Sequence, residues 1–282
     1  MKILICTDGS PYAQEAVHFG ARLAGALHGD TTLLVVSDSE PGLARAEDVL
    51  SQCRPILHEV GIAPHVLTRI GFPAEEIVRE TEEHPYDLVI VGAFGRRGLT
   101  RFLVGSTAYR TVTHVPVDTL VVKGRRRGLK HLLICTAGQG DERTVEVSGQ
   151  LARKLQARVT LLHIVPPLPI YYLGMPPGEV PPSEIMVDDL LVQDTPLARY
   201  LHWAQNTLAD YDVQATLRVH RGQLPDEIFA EARHTEADLL VIGDRAHTGL
   251  ARFLLGGTAD KIVKYADRPV LVVRTERQAL AD

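Results

Sequence analysis

Three cysteines, Cys6, Cys53 and Cys135, are all that 282 residues contain, and no two of them form a C-x-x-C pair. That scarcity excludes a disulfide framework, and an odd number suits a reducing compartment. Cys6 and Cys135 are expected as buried structural thiols. Long apolar runs are missing too. Stretches such as Leu88–Val91 suit a buried strand and are far too short for a bilayer. The apolar run from Met1 to Cys6 is ended by Asp8 and is too short for a signal-peptide core, so a cytoplasmic location is expected. Neither sign of charge dominates. A net charge of −5 and a pI near 6.2 argue against a broad nucleic-acid or membrane surface. There is no phosphate loop with its lysine, no G-x-S-x-G elbow and no H-E-x-x-H pair. His18, His28 and His163 are scattered and read as structural, and no metal cluster is read from protein ligands alone.

What is present is a repeat. Lys2-Ile3-Leu4-Ile5-Cys6-Thr7 returns as His131-Leu132-Leu133-Ile134-Cys135-Thr136. Gly71 to Ile77 is echoed by Gly222 to Ile228, Asp87 to Gly92 by Asp238 to Gly243, and Gly98 to Leu103 by Gly249 to Leu254. Val115-Pro116-Val117 through Val122 is matched by Arg268-Pro269-Val270 through Val273. Five matches in one order leave coincidence a poor explanation. The length fits two domains, 1–124 and 129–282, and the basic run Arg125-Arg126-Arg127 between them reads as a solvated linker.

Each half alternates strand and helix, which implies parallel pairing and right-handed crossovers. In the first half the strands are Lys2–Thr7, Thr31–Val36, His65–Ile70, Asp87–Val91 and Val117–Val122. They are short and rich in Val, Ile and Leu, as strands buried on both faces are. Ser10-Pro11 is an N-cap and N1 pair for a helix to about Leu27. Leu43, Ala46, Leu50, Cys53, Leu57 and Val60 make one helix face that stops at Gly61. Pro73 opens a third helix, and a fourth begins near Ser106. The fold class is therefore α/β: two tandem doubly wound, five-stranded, parallel-sheet domains of Rossmann-like type. The second half alone carries a proline-rich insertion, Pro166–Pro182. Its seven prolines preclude a helix or central strand, so it is expected as an extended loop. Ile170, Tyr171, Tyr172, Leu173 and Met175 give that loop an apolar cluster, expected to cover the second half's sheet edge or to dock elsewhere.

The pattern that carries chemistry is Gly92-x2-Gly95-x9-Gly105-Ser106, directly after the fourth strand. Ligands of open α/β sheets bind beyond the carboxyl ends of the strands, where this loop lies. Glycines there let backbone N–H groups approach phosphate, and Ser106 and Thr107 open a helix whose positive end favours an anion. Asp8 follows the first strand on the same edge, where a carboxylate can accept from a ribose or a base amine. Taken singly, Asp8 and Ser10 also read as helix caps and the glycines as turns. Their convergence on one edge favours a nucleotide site.

These residues resemble the universal stress protein family over nearly the whole chain, twice, including the proline-led fifth strand Pro116–Val122. Members with this glycine loop typically bind ATP, and the resemblance implies an adenine nucleotide here; separately, bound phosphates can carry a transient Mg²⁺. By position, Cys6, Thr7 and Asp8 would line adenine and ribose, and Val36 and Val91 would pack on the base. Gly92, Gly95, Gly105, Ser106, Thr107 and Ala108 would cradle ribose and phosphates. Phe94 stands among them where some relatives carry a polar side chain, which leaves one sugar or phosphate contact open. In the second half Ala137 replaces Asp8, Ala246 replaces Gly95 and Gly257 replaces Ser106, so a degenerate site is expected there. The implied role is regulation of a stress response, with no catalytic residues and at most slow ATP hydrolysis. A nucleotide-independent dimeric scaffold is the alternative, and ADP, AMP or a cyclic nucleotide remain open as ligands. Family dimers often pair their fifth strands. The two halves are therefore expected to pair Pro116–Val122 with Pro269–Val273 antiparallel within one chain, before any further association into a homodimer.

Overall fold

The computed structural model describes residues 1–37, 43–94, 104–124, 128–167, 184–244 and 257–275. The side chains of Leu43 and Ala44 lie outside that description, as do Gly95, Ala246 and the insertion from Leu168 to Ser183. Two compact units account for the contacts: Met1–Leu129 together with Asp244–Asp282, and Lys130–Gly243.

The first unit begins β1 (Lys2–Thr7), α1 (Pro11–Leu27), β2 (Asp30–Ser37), α2 (Leu43–His58) and β3 (His65–Ile70). It continues with α3 (Pro73–Glu83), β4 (Leu88–Gly92), α4 (Ser106–His114) and β5 (Asp118–Val122). These five strands lie in the order β3-β2-β1-β4-β5 and all pair parallel. Ile3, Leu4, Ile5, Leu33, Leu34, Val89 and Ile90 are fully buried, as strands covered on both faces require. Ser10 caps α1 by accepting from Ala13 N at 3.2 Å, and Pro11 takes the first helical position.

The second unit holds β6 (His131–Thr136), α5 (Glu142–Leu155), β7 (Arg158–Val165), β8 (Glu184–Ile185), α6 (Val187–Leu191) and α7 (Pro196–Asp210). After them come β9 (Ala215–Arg221), α8 (Leu224–His234) and β10 (Leu239–Gly243). Its strand order is β10-β6-β7-β9-β8, parallel except for the short antiparallel β8.

The remaining elements, α9 (Gly257–Tyr265) and β11 (Val270–Val273), group with the first unit. The reason is a strand ladder: β11 pairs antiparallel with β5, Val270 opposite Val121, Leu271 opposite Leu120 and Val272 opposite Thr119. The last strands of the two sequence repeats thus satisfy each other's backbone inside one chain, and neither is left as an open apolar edge.

Candidate functional site

β1 and β4 lie side by side, Ile5 opposite Ile90, so their carboxyl ends leave the sheet together. Thr7 is buried, and its hydroxyl accepts from Gly9 N at 3.2 Å. Asp8 is half-buried and its Oδ1 accepts from Ser10 N at 2.9 Å, which turns the chain into α1. Gly9 has φ +75°, and a Cβ there would lie 2.4 Å from Val49 Cγ2, so only glycine fits. Helix α2 therefore roofs this turn through Val49. Its Cys53 thiol is pushed up by burial, with a partial offset from the Thr7 hydroxyl. Cys6 is buried and its thiol is likewise pushed up, chiefly by desolvation, so it is an inert wall. Val91 is buried and Val36 half-buried at the same edge.

Gly92 does its work against protein. A Cβ there would lie 3.0 Å from Tyr12 O and 3.1 Å from Ala13 Cα, so the absent side chain lets α1 begin against the end of β4. Phe94 is buried, its ring tilted against Tyr12 with centroids 5.0 Å apart. The loop that follows is closed at its base, since Gly105 N donates to Ala93 O at 2.7 Å. The first bond within α4 is Tyr109 N to Gly105 O at 3.0 Å. The N–H groups of Ser106, Thr107 and Ala108 precede it and have no acceptor within the helix. Gly105 gives no side-chain cap, and the first turn of α4 carries no acidic residue.

That combination sets α4 apart. Among the helices whose N-cap is described, α1 and α7 are capped by Ser10 and Thr195. The others, α3, α5, α6 and α8, carry acidic residues in their first turn. Among these helices with a described N-cap, only α4 presents its positive end with neither device.

The second half closes the corresponding edge with its own polar groups. Thr136 shares a hydrogen bond with the Tyr200 hydroxyl at 2.5 Å and accepts from Gly138 N at 3.2 Å. Asp141, only 2% exposed, accepts from Ala137 N at 2.9 Å and from the Thr144 hydroxyl at 2.5 Å. A carboxylate is thus present after all, two positions later than a simple repeat would put the capping residue, and it serves the backbone. His163, opposite Thr136 in β7, donates from Nδ1 to Thr136 O at 3.0 Å; burial lowers its pKa and keeps it neutral. Burial also pushes the Cys135 thiol up. Helix α9 opens on Gly257 and carries Asp260 in its first turn, paired with Lys264 at 2.9 Å. Sequence periodicity gave no sign of Asp141, Tyr200 or the Val49 roof, because each acts across the fold.

Among the described residues one group of potential metal ligands comes together: Glu80, Glu83 and His84, with ligand atoms within 4.8 Å of one another. Arg69 already donates to both glutamates, and the Tyr86 hydroxyl donates to Glu80 at 2.9 Å, so these carboxylates are committed to protein partners. No helix among the described residues is long and apolar enough to cross a membrane.

Comparison with known proteins matches the sequence pattern described as the Universal stress protein family to residues 1–123 and again to 128–274. A universal stress protein of Methanocaldococcus jannaschii is 30% identical over 138 residues, covering 43% of this chain and 81% of its own. One from Synechocystis is 21% identical over 307 residues, covering 96% of this chain and 99% of its own. Among solved structures, a universal stress protein from Archaeoglobus fulgidus superposes with a TM-score of 0.73 at 16% identity, covering 98% of each chain.

Proposed function

The chain belongs to the universal stress protein family, and on that premise we propose that it binds one adenine nucleotide, ATP, in the 1–124 domain, as a stress-response regulator. The observation that carries this reading is the N-terminus of α4, which has neither a side-chain cap nor a first-turn acid and lies at the carboxyl edge of the sheet. The N–H groups of Ser106, Thr107 and Ala108 receive phosphate oxygens there, with the helix dipole behind them. Asp8 accepts from the ribose, and Val36 and Val91 face the base beside the walls formed by Cys6 and Thr7. Gly92 and Phe94 lead into the loop between base and phosphates. Any Mg²⁺ would be held by the bound phosphates and not by protein ligands.

The 129–282 domain has a different task. Its equivalent edge is filled by Asp141, Thr136, Tyr200 and His163, and its last strand is laddered to β5. We read it as the scaffold half of the molecule.

Titration calorimetry of the whole chain with ATP tests both statements. One site per chain is expected, lost or weakened in Asp8→Ala. Two equal sites, or no binding by protein stripped of any co-purified nucleotide, would overturn the assignment.

A further inference from the structure

Helix α4 has two ends, and the second is held by a residue far along the chain. Arg274 follows β11 and is buried. Its Nη2 donates to Val112 O and, at 2.6 Å, to Val115 O, carbonyls at the C-terminal end of α4. The arginine is fixed in turn. Its backbone N donates to Asp118 Oδ1 at 2.9 Å, and its Nη1 faces Asp244 Oδ2 at 3.4 Å. Burial lowers the guanidinium's pKa while Asp244 and Asp118 oppose that shift. A helix of nine residues is about 13 Å long. Fixing two carbonyls at one end with one planar group therefore sets the axis along which the other end points. A cation at the C-terminus also complements the dipole.

We propose that Arg274, contributed by the second sequence repeat, is a positioning residue for the phosphates bound by the first. It aims the Ser106–Ala108 amides from the opposite end of α4. This rests on the nucleotide reading above. It also gives the tandem arrangement a consequence: the binding half needs the last residues of the scaffold half.

The equivalent cation in the first repeat, Lys123, donates to Lys264 O at 2.8 Å and Ala266 O at 3.1 Å at the end of α9. The exchange is reciprocal, but a single ammonium lacks the fixed planar geometry of guanidinium, and α9 carries Asp260 at its other end. Of the two helices held this way, α4 is the one without a first-turn acid.

The test is the affinity of the whole chain for ATP and for adenosine, measured side by side in Arg274→Met and Arg274→Lys. A purely structural loss weakens both ligands alike. Mis-aimed amides weaken ATP alone, by about tenfold for Arg274→Met. A smaller loss with the same asymmetry is expected for Arg274→Lys, which keeps the cation and serves as the reading if the Met variant does not fold. Equal losses for both ligands, or unchanged ATP affinity in both variants, would overturn the positioning role. A wild-type chain that binds no ATP would overturn the nucleotide reading itself, and this role with it.

Discussion

Asp8 and Asp141 stand at equivalent turns of the two repeats, each a carboxylate between a β-strand and the helix that follows it, and they are spent differently. Asp8 is half-buried at the open edge. Asp141 is 2% exposed and engaged by Ala137 N and Thr144. The second repeat reaches this state with a longer turn, five residues between Thr136 and Glu142 against three between Thr7 and Pro11, which brings its acid back to Ala137 N. The same frame can leave a polar edge for a ligand or consume it internally, and a few residues of turn length decide which.

The contrast recurs at the ends of β5 and β11, and there the largest effect is expected. Burial holds the Lys123 amine at about 8 against an ordinary 10.5, with Asp267 partly opposing. Between those values the unfolded chain keeps its proton and the folded one does not, so stability rises with pH across that window. Below about 8 the buried ammonium carries its full penalty, about 3 kcal/mol. Lys123→Met should abolish the rise between pH 8 and 10.5, read as the difference between urea melts of variant and wild type. Parallel pH profiles for the two proteins would mean that the amine is not desolvated.

Next in size is Asp141→Ala. It leaves Ala137 N and the Thr144 hydroxyl without their buried acceptor and should cost about 2–3 kcal/mol of stability. ATP affinity should stay as in wild type. A drop in affinity comparable to that of Asp8→Ala would erase the distinction between the two edges.

The converse holds for Asp8→Ala. Losing hydrogen bonds from a charged acceptor to ligand is worth about 1.5–3 kcal/mol, a 10- to 100-fold weaker complex. The fold should lose less, because Ser10 still caps α1. Unchanged affinity in calorimetry would reduce Asp8 to a turn residue.

Much of this fold is legible in sequence because most of the first unit's strands, β3 excepted, are buried on both faces. Runs of Val, Ile and Leu place β1 and β3 at their observed limits, and β2, β4 and β5 within a residue at each end. Ser10-Pro11 and Ser106 mark helix starts because capping is local chemistry. The reason for a glycine is not local. Gly92 reads as a place where phosphate approaches, whereas its missing Cβ makes room for the backbone of α1. Gly105 reads as a phosphate donor, yet its N–H closes the loop on Ala93 O. Lys123 and Arg274 each follow a pair of valines in the sequence, and nothing there reveals that their partners are carbonyls of helices from the opposite repeat. β8 is two residues long, below any period a sequence can display.

The smallest expected effect separates the halves by acid. His163 lies opposite Thr136 as Val35 lies opposite Thr7, so the second repeat has an ionisable group where the first has none. Burial lowers the His163 pKa, and the bond to Thr136 O offsets this only in part. His131 is lowered too, again chiefly by burial. A folded pKa below the ordinary 6.5 means the unfolded chain takes up a proton first as pH falls. The stability contributed by the neutral ring is therefore complete above about 6.5 and declines as pH drops toward the folded value. His163→Val installs the first repeat's residue and should flatten that part of the decline while leaving the His131 contribution. The measurement is thermal unfolding of both proteins from pH 7.5 down to 5. Identical slopes would show that His163 takes its proton within the fold as readily as outside it. The second edge would then be as open to solvent as the first, against the closed network through which Asp141, Thr136 and Tyr200 fill it.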